Sequence, residues 1–226
     1  MVNTLKVLSV LLTYPSADLQ AAIPEIRAVL DAERLLPARV ALQLRALIDE
    51  IEKGDVLDLQ ERYVGLFDRG RMTSLNLFEH VHGESRERGS AMVDLRKVYQ
   101  QAGFDLSSSE LPDYLPVVLE FLSHRPFEQA EEMLSDCAHI LRRLGEALQE
   151  RSSSYQAVPA ALLTMIGEPD LAAERESVSV DEVASENDSI DEDWVESPVS
   201  FGSQGASDCH KAASPVSVIR FMPRSR

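Results

Sequence analysis

Apolar residues recur at spacings of three and four along the chain up to Gly167, the period that gathers them on one face of an α-helix. Leu5, Leu8 and Leu12 open the pattern. Val40, Leu44, Leu47, Ile48 and Ile51 repeat it, and Gly54 follows as a stop. Leu59, Tyr63, Leu66 and Phe67 form a third stripe, with Gly54 or Asp55 placed to open it. Met92, Leu95, Tyr99 and Ala102 form another, ended by Gly103. The cleanest is Ala130, Leu134, Cys137, Leu141, Leu144 and Leu148, which predicts one continuous helix. No stretch alternates with period two between hairpin turns, so a sheet is not expected.

The punctuation agrees. Pro15, Pro37 and Pro126 stand where first helical turns are expected, because proline lacks only an N–H that would be orphaned there. Ser107 with Glu110 offers a capping box, and Ser85 can cap the helix running to Gln101. Leu115, Val118, Leu119 and Leu122 predict a core-facing helix that starts near Glu110, with Pro112 in its first turn. About eight or nine helices joined by short loops follow from these signals. The predicted fold class is all-α: one multi-helix domain over residues 1–167.

After Gly167 large apolar residues become sparse. Residues 168–196 hold 12 acids and a single base, Arg175. Such a stretch cannot bury enough surface to offset chain entropy, so 168–226 is expected to be a disordered acidic tail. Trp194 and two similar pieces, Pro198-Val199-Ser200-Phe201 and Pro215-Val216-Ser217-Val218, read as linear docking elements within it.

Charge divides in the same place. The whole chain carries −16, from 22 Lys+Arg against 38 Asp+Glu. The acidic block carries −11, residues 197–226 carry +3, and the helical body carries −8. A chain this acidic lacks the basic footprint of a nucleic-acid binder. No apolar run is long enough to span a membrane, and the N-terminal leucines lack the flanks of a signal peptide. Cys137 and Cys209 make neither a disulfide framework nor a zinc site, so a reduced, cytoplasmic protein is expected.

Two segments concentrate candidate chemistry. The first runs from Tyr63 to Gly89 and is dense in charge, histidine and glycine. His80 and His82 with Glu79 and Glu84 could be read as metal ligands, but a His-x-His pair supplies only two and nothing downstream completes the set. An anion pocket of Arg69, Arg71, Arg86 and Arg88 is a second reading. A third is structural: Glu79 and Glu84 pair with the arginines and His80 closes a buried hydrogen bond. The second segment is Glu110 to Leu122. Its acids, Glu110, Asp113 and Glu120, would form a rim beside an apolar groove suited to a basic amphipathic helix. No nucleophile, oxyanion donors or triad accompanies them, and Cys137 lies on a core stripe, so no enzyme is expected and no resident cofactor or metal.

These residues carry a resemblance. The run Phe67-Asp68-Arg69-Gly70-Arg71, through Ser74-Leu75-Asn76-Leu77-Phe78-Glu79-His80-Val81-His82-Gly83-Glu84-Ser85-Arg86-Glu87-Arg88-Gly89, to Ala91-Met92-Val93-Asp94-Leu95, resembles the signature of the respiratory nitrate reductase assembly chaperones, the nitrate reductase delta subunit family. Glu110-Leu111-Pro112-Asp113-Tyr114 with Leu119-Glu120-Phe121-Leu122 is similar to a motif of the wider redox-enzyme maturation chaperones, as is the leucine-rich start ending in Tyr14-Pro15. The resemblance implies an all-helical cytoplasmic chaperone absent from the finished enzyme. It would bind the apo alpha subunit of nitrate reductase, partly through that subunit's N-terminal leader-like segment. It would support insertion of the molybdenum cofactor and an iron–sulfur cluster before membrane docking, with molybdenum-cofactor delivery proteins as further partners.

On the same resemblance, Asp113, Tyr114, Leu119 and Glu120 are the first set of expected partner-binding residues. Glu79, His80, His82, Glu84 and Arg86 are the second. The rival readings are a helical phosphate or nucleotide binder using Arg69–Arg88, and a scaffold whose tail does the binding.

Overall fold

In the computed structural model, residues 2–83, 86–106, 110–171 and the backbone of 221–223 are described. The stripes become ten α-helices among these residues: α1 (Asn3–Leu11), α2 (Ala17–Glu33), α3 (Ala38–Lys53), α4 (Val56–Phe67), α5 (Leu77–His82), α6 (Arg86–Gln101), α7 (Leu115–Ser123), α8 (Phe127–Asp136), α9 (Ala138–Glu150) and α10 (Ala157–Met165). All five apolar residues of the α3 stripe are buried. Asp55 caps α4, accepting from the N–H groups of Leu57 and Asp58. Ser16 caps α2 by accepting from Leu19 N–H, so Pro15 lies just outside that helix, while Pro37 and Pro126 directly precede α3 and α8.

The centre is α7. Every one of its residues is buried, and it packs on α1, which in turn packs on α2. A helix this apolar all round belongs inside a fold, where its neighbours supply the polar surface. Helix α10 packs on α3 and α9, and α8 lies against α7 and α9. The core runs continuously from Val2 to Leu171.

Three local expectations change. The Ala130–Leu148 stripe is carried by two helices, with Cys137 ending α8 and starting α9. The stripe survives because the apolar face stays in register across the break, and no Pro or Gly marks it. Second, α7 starts at Leu115 rather than near Glu110. Two prolines explain the delay: the residue before a proline is pushed out of the α region, so Pro112 holds Leu111 non-helical, and Pro116 takes the first turn. Third, a two-stranded antiparallel ladder joins β1 (Phe104–Leu106) to β2 (Phe221–Pro223). Packing also continues past Gly167: Leu171 is buried against Gly145, and Arg142 lies 3.3 Å from Glu168. The capping roles given to Ser107 and Ser85 fall outside the described residues, as do Trp194 and the two Pro-Val-Ser pieces.

Candidate functional site

The two singled-out segments lie side by side. Residues 75–77 run antiparallel to 113–115, with Leu77 N–H donating to Asp113 O (3.0 Å) and Leu115 N–H to Leu75 O (2.8 Å). The Asp113 carboxylate then accepts from Phe78 N–H at 3.1 Å. Main chain and side chain of one residue therefore satisfy the first two N–H groups of α5, which Asn76 leaves uncapped. A helix end needs such partners, and an acid there also meets the positive end of the helix dipole.

Asp113 is fully buried. Burial pushes its carboxyl above the ordinary range, against the Phe78 hydrogen bond and the nearby Arg88 guanidinium. Arg88 Nη2 stands 3.9 Å away, beyond hydrogen-bond reach. Neither Asp113 Oδ1 nor Arg88 Nε has a hydrogen-bond partner among the described residues. Tyr99 tightens the same corner by donating to Pro112 O at 2.8 Å.

The α5 turn is held from the other side. Ser74 Oγ donates to Glu79 Oε2 (2.6 Å), and His80 Nε2 meets Ser74 O (2.8 Å). His82 stacks edge-on to Phe78 at 5.9 Å, and its Nδ1 lies 3.8 Å from Glu87. Gly83 ends α5 at φ +55°, where a Cβ would strike the Arg71 guanidinium. The structural reading holds for His80, which closes its hydrogen bond. Glu79, however, pairs with Ser74 rather than an arginine. Arg71 is aimed at Glu79 O and Arg88 at Asp113, so these two face separate groups within the body rather than a shared anion. No group of three or more His, Cys, Asp or Glu placed to hold a metal exists among the described residues.

Tyr114, Leu119 and Glu120 also turn inward. Tyr63 OH donates to Leu12 O (2.8 Å) and lies 2.9 Å from Tyr114 OH, whose pKa burial pushes up to about 12. Leu119 is fully buried. Glu120 is 3% exposed, paired with Lys6 of α1 and 3.5 Å from His124. The expected acidic rim is thus corrected: Asp113 and Glu120 are interior groups, and of the three acids only Glu110 is exposed. The motif spaces acids as a rim would, but the late start of α7 turns Asp113 onto α5 and Glu120 onto α1. Arg86 is exposed, and the Glu84 side chain lies outside the described residues. Cys137 is half-buried, and burial pushes its thiol up to about 11, unsuited to a nucleophile.

A groove with acids along one edge does exist elsewhere, with a mixed polar and apolar lining. It is an open cavity of about 540 Å³ between α6, α7 and α8. Phe121, Leu122, Ala102 and Met133 line it, Val98 is 44% exposed at its side, and the exposed Glu132 and Asp136 stand along α8. Arg125 also lines the cavity, with its guanidinium over the Phe121 ring (5.8 Å) and bonded to Gln129 (2.8 Å). Sequence reading missed it because its acids lie off the Ala130–Leu134 stripe, on the face of α8 that no core pattern marks.

The family model for the nitrate reductase delta subunit matches residues 16–158. The chain belongs to the nitrate reductase delta subunit family. Among its relatives, the nitrate reductase molybdenum cofactor assembly chaperone NarJ of Escherichia coli (strain K12) is 42% identical over 199 residues, 87% of this chain and 84% of that one. NarW of the same strain is 38% identical over 209 residues, 91% of this chain and 86% of that one. A crystal structure of a candidate redox enzyme maturation protein from Archaeoglobus fulgidus superposes with a TM-score of 0.54 at 22% identity, covering 74% of this chain and 94% of that one, which shows a shared fold. Among the described residues this delta-subunit family member is all-helical apart from the short ladder, and the two relatives named above are assembly chaperones. No helix among the described residues is long and apolar enough to cross a membrane.

Proposed function

We propose that this protein is a cytoplasmic assembly chaperone for nitrate reductase. It binds the incomplete alpha subunit, partly through a basic N-terminal leader-like segment, and keeps it open for molybdenum cofactor and iron–sulfur insertion before membrane docking. The observation that carries this reading is the 42% identity to an assembly chaperone over 87% of the chain. The described residues also offer a groove with the exposed acids Glu132 and Asp136 along its edge. Such a chaperone can favour a loadable client only through a difference in affinity, so it must bind the incomplete subunit more tightly than the completed one.

The leader is placed in the Phe121 groove, with its basic face toward Glu132 and Asp136. His82 and Arg86, on the α5–α6 corner, are placed as secondary contacts with the folded client. Asp113, Tyr114, Leu119 and Glu120 act through the fold that holds these surfaces.

Calorimetry with a synthetic alpha-subunit N-terminal peptide tests the groove. Replacing both Glu132 and Asp136 by Lys should weaken binding about three- to tenfold, since an exposed ion pair contributes about 0.2–1 kcal/mol. The remaining affinity should lose most of its salt dependence. Unchanged affinity and salt slope in a folded variant would remove the leader from this groove. The chaperone reading is tested separately, by asking whether the alpha subunit co-purifies with this protein from cells lacking the molybdenum cofactor.

A further inference from the structure

A second cavity, of about 440 Å³, lies between α4 and the connection from α9 to α10, and shares no lining residue with the Phe121 groove. Leu59, Arg62, Gly65 and Leu66 of α4 face it, with Glu50 near the end of α3. The connection itself, Arg151-Ser152-Ser153-Ser154-Tyr155, makes the other wall. Ser152 N–H donates to Gln149 O and Ser153 N–H to Leu148 O, both at 2.9 Å, which closes α9. That closure needs a left-handed residue, ordinarily glycine, and Ser152 takes it at φ +52°. A hydroxyl-bearing residue thus stands on the cavity wall where glycine would be easier.

The charges are unequally matched. Glu50 is satisfied at both oxygens: Oε1 accepts from Arg62 Nη1 at 2.6 Å and Oε2 from Ser154 Oγ at 2.5 Å. Arg151 donates through Nη1 to Ala147 O at 3.0 Å and pairs with no carboxylate among the described residues. Two bases against one acid give the lining a net +1 within a body of −8. Tyr155 is 4% exposed, and its hydroxyl is buried without a partner among the described residues. Burial and the Glu50 charge push its pKa up, against Arg62, so the phenol stays a protonated donor. A buried donor left unpaired is costly, and an acceptor is expected beside it. A water would answer the phenol but not the charge of Arg151.

We infer that this cavity binds a small phosphate-bearing ligand, held by Arg151, the remaining N–H groups of Arg62 and the hydroxyls of Ser152 and Tyr155. Guanidinium groups suit phosphate because their fixed N–H pairs match its oxygens. A phosphate also offers more acceptor oxygens than a carboxylate to donors arriving from two elements. Gly65 leaves room for the ligand, since a Cβ there would meet nothing within 4 Å. Leu59 and Leu66 give its body an apolar side. The sequence suggested such chemistry at Arg69–Arg88; here it gathers around Arg151. Binding at this cavity is independent of where the leader docks.

The test is calorimetric titration of the full chain with inorganic phosphate and, separately, phenyl phosphate, at constant ionic strength. Both should bind saturably, and phenyl phosphate more tightly if Leu59 and Leu66 hold the ligand's body. Arg151→Gln should weaken binding about tenfold or more, and Tyr155→Phe about three- to tenfold, the effects of one charged and one neutral hydrogen bond. Ligand-free Tyr155→Phe should melt no lower than wild type, because the hydroxyl it removes has no partner to lose. Gly65→Glu guards against misfolding at Arg151. It sets an acid in open space, on a helix that prefers glutamate to glycine, and should also weaken binding. No saturable binding of either phosphate, equal binding of acetate, or wild-type affinity in any of the three folded variants overturns the proposal. A lower melting temperature for Tyr155→Phe would give the hydroxyl a structural partner and overturn its part in the site.

Discussion

Two carboxylates far apart in sequence do the same job with opposite electrostatic consequences. Glu33 accepts from Asn3 N–H (2.9 Å), Asn3 Nδ2 (2.8 Å), Thr4 N–H (2.8 Å) and Thr4 Oγ1 (2.7 Å), capping α1, whose own N-cap is Val2. Burial pushes the Glu33 pKa up, but these hydrogen bonds outweigh it and hold the group below the ordinary value. Asp113 caps α5 with fewer bonds and deeper burial, and ends above it. The signs therefore differ. Glu33 contributes stability that is complete above the ordinary carboxylate pKa and is lost as pH falls through its lowered value. Asp113 contributes in the reverse sense: its protonated form suits the fold, and that contribution is lost as pH rises through its raised value.

Thermal melts between about pH 7 and about pH 3 should show wild type losing ground relative to Glu33→Gln on acidification and gaining ground relative to Asp113→Asn. Asp113→Ala removes the side-chain half of the cap and should cost about 1–3 kcal/mol, whereas Asp113→Asn keeps an acceptor for Phe78 N–H and should cost less. If Asp113→Ala left the melting temperature unchanged, the capping role would be wrong. Gly83→Ala should also lower the melting temperature, because alanine disfavours a positive φ and its Cβ meets Arg71.

Among elements, the seam between α1 and α7 does most to fix the body. Ser9 Oγ donates to Pro116 O at 2.7 Å, Val2 N–H to Ser123 O at 3.1 Å, and Lys6 pairs with Glu120. Removing only Lys6 leaves a buried carboxylate with His124 as its remaining ion partner. A double-mutant cycle of Lys6→Met and Glu120→Gln should therefore give a coupling of about 0.5–3 kcal/mol; a coupling near zero would mean the pair is incidental. The leucine spacing of α1 and α7 made both helices legible as core, because burial repeats with the helical period. Which polar groups they bury was not legible. Asp113 and Glu120 read as surface acids, since nothing local reveals that α7 starts late or that Lys6 will stand opposite. The break at Cys137 was hidden for a related reason: a stripe records facing, not the continuity of the hydrogen-bond ladder. The groove between α6, α7 and α8 belongs to no single element and left no periodic trace.

At the scale of the molecule, the packed body extends past the change in composition. A Cβ on Gly145 would lie 2.5 Å from Leu171 Cδ1 and 2.8 Å from Cδ2. Gly145→Ala should therefore push Leu171 off α9. Leu171 is a flexible side chain, so the loss should be modest, about 0.5–2 kcal/mol, with faster amide exchange confined to the residues around 168–171. No change in that exchange would mean that Leu171 does not hold the segment.

The pairing of α1 with α7 also bears on how the protein is made. Helix α1 finds its cap at Glu33 and a first neighbour in α2, but its main packing partner, α7, begins only at Leu115. At about 5–20 residues per second, α1 waits on the order of ten seconds for α7 to be synthesised. During that interval its leucine face can close only on α2. Nascent chains stalled short of residue 115 should be cut readily by protease within α1, and chains stalled well beyond α7 should resist. A protein proposed to shelter an unfinished client is itself, for much of its own synthesis, an unfinished chain with a half-covered apolar helix.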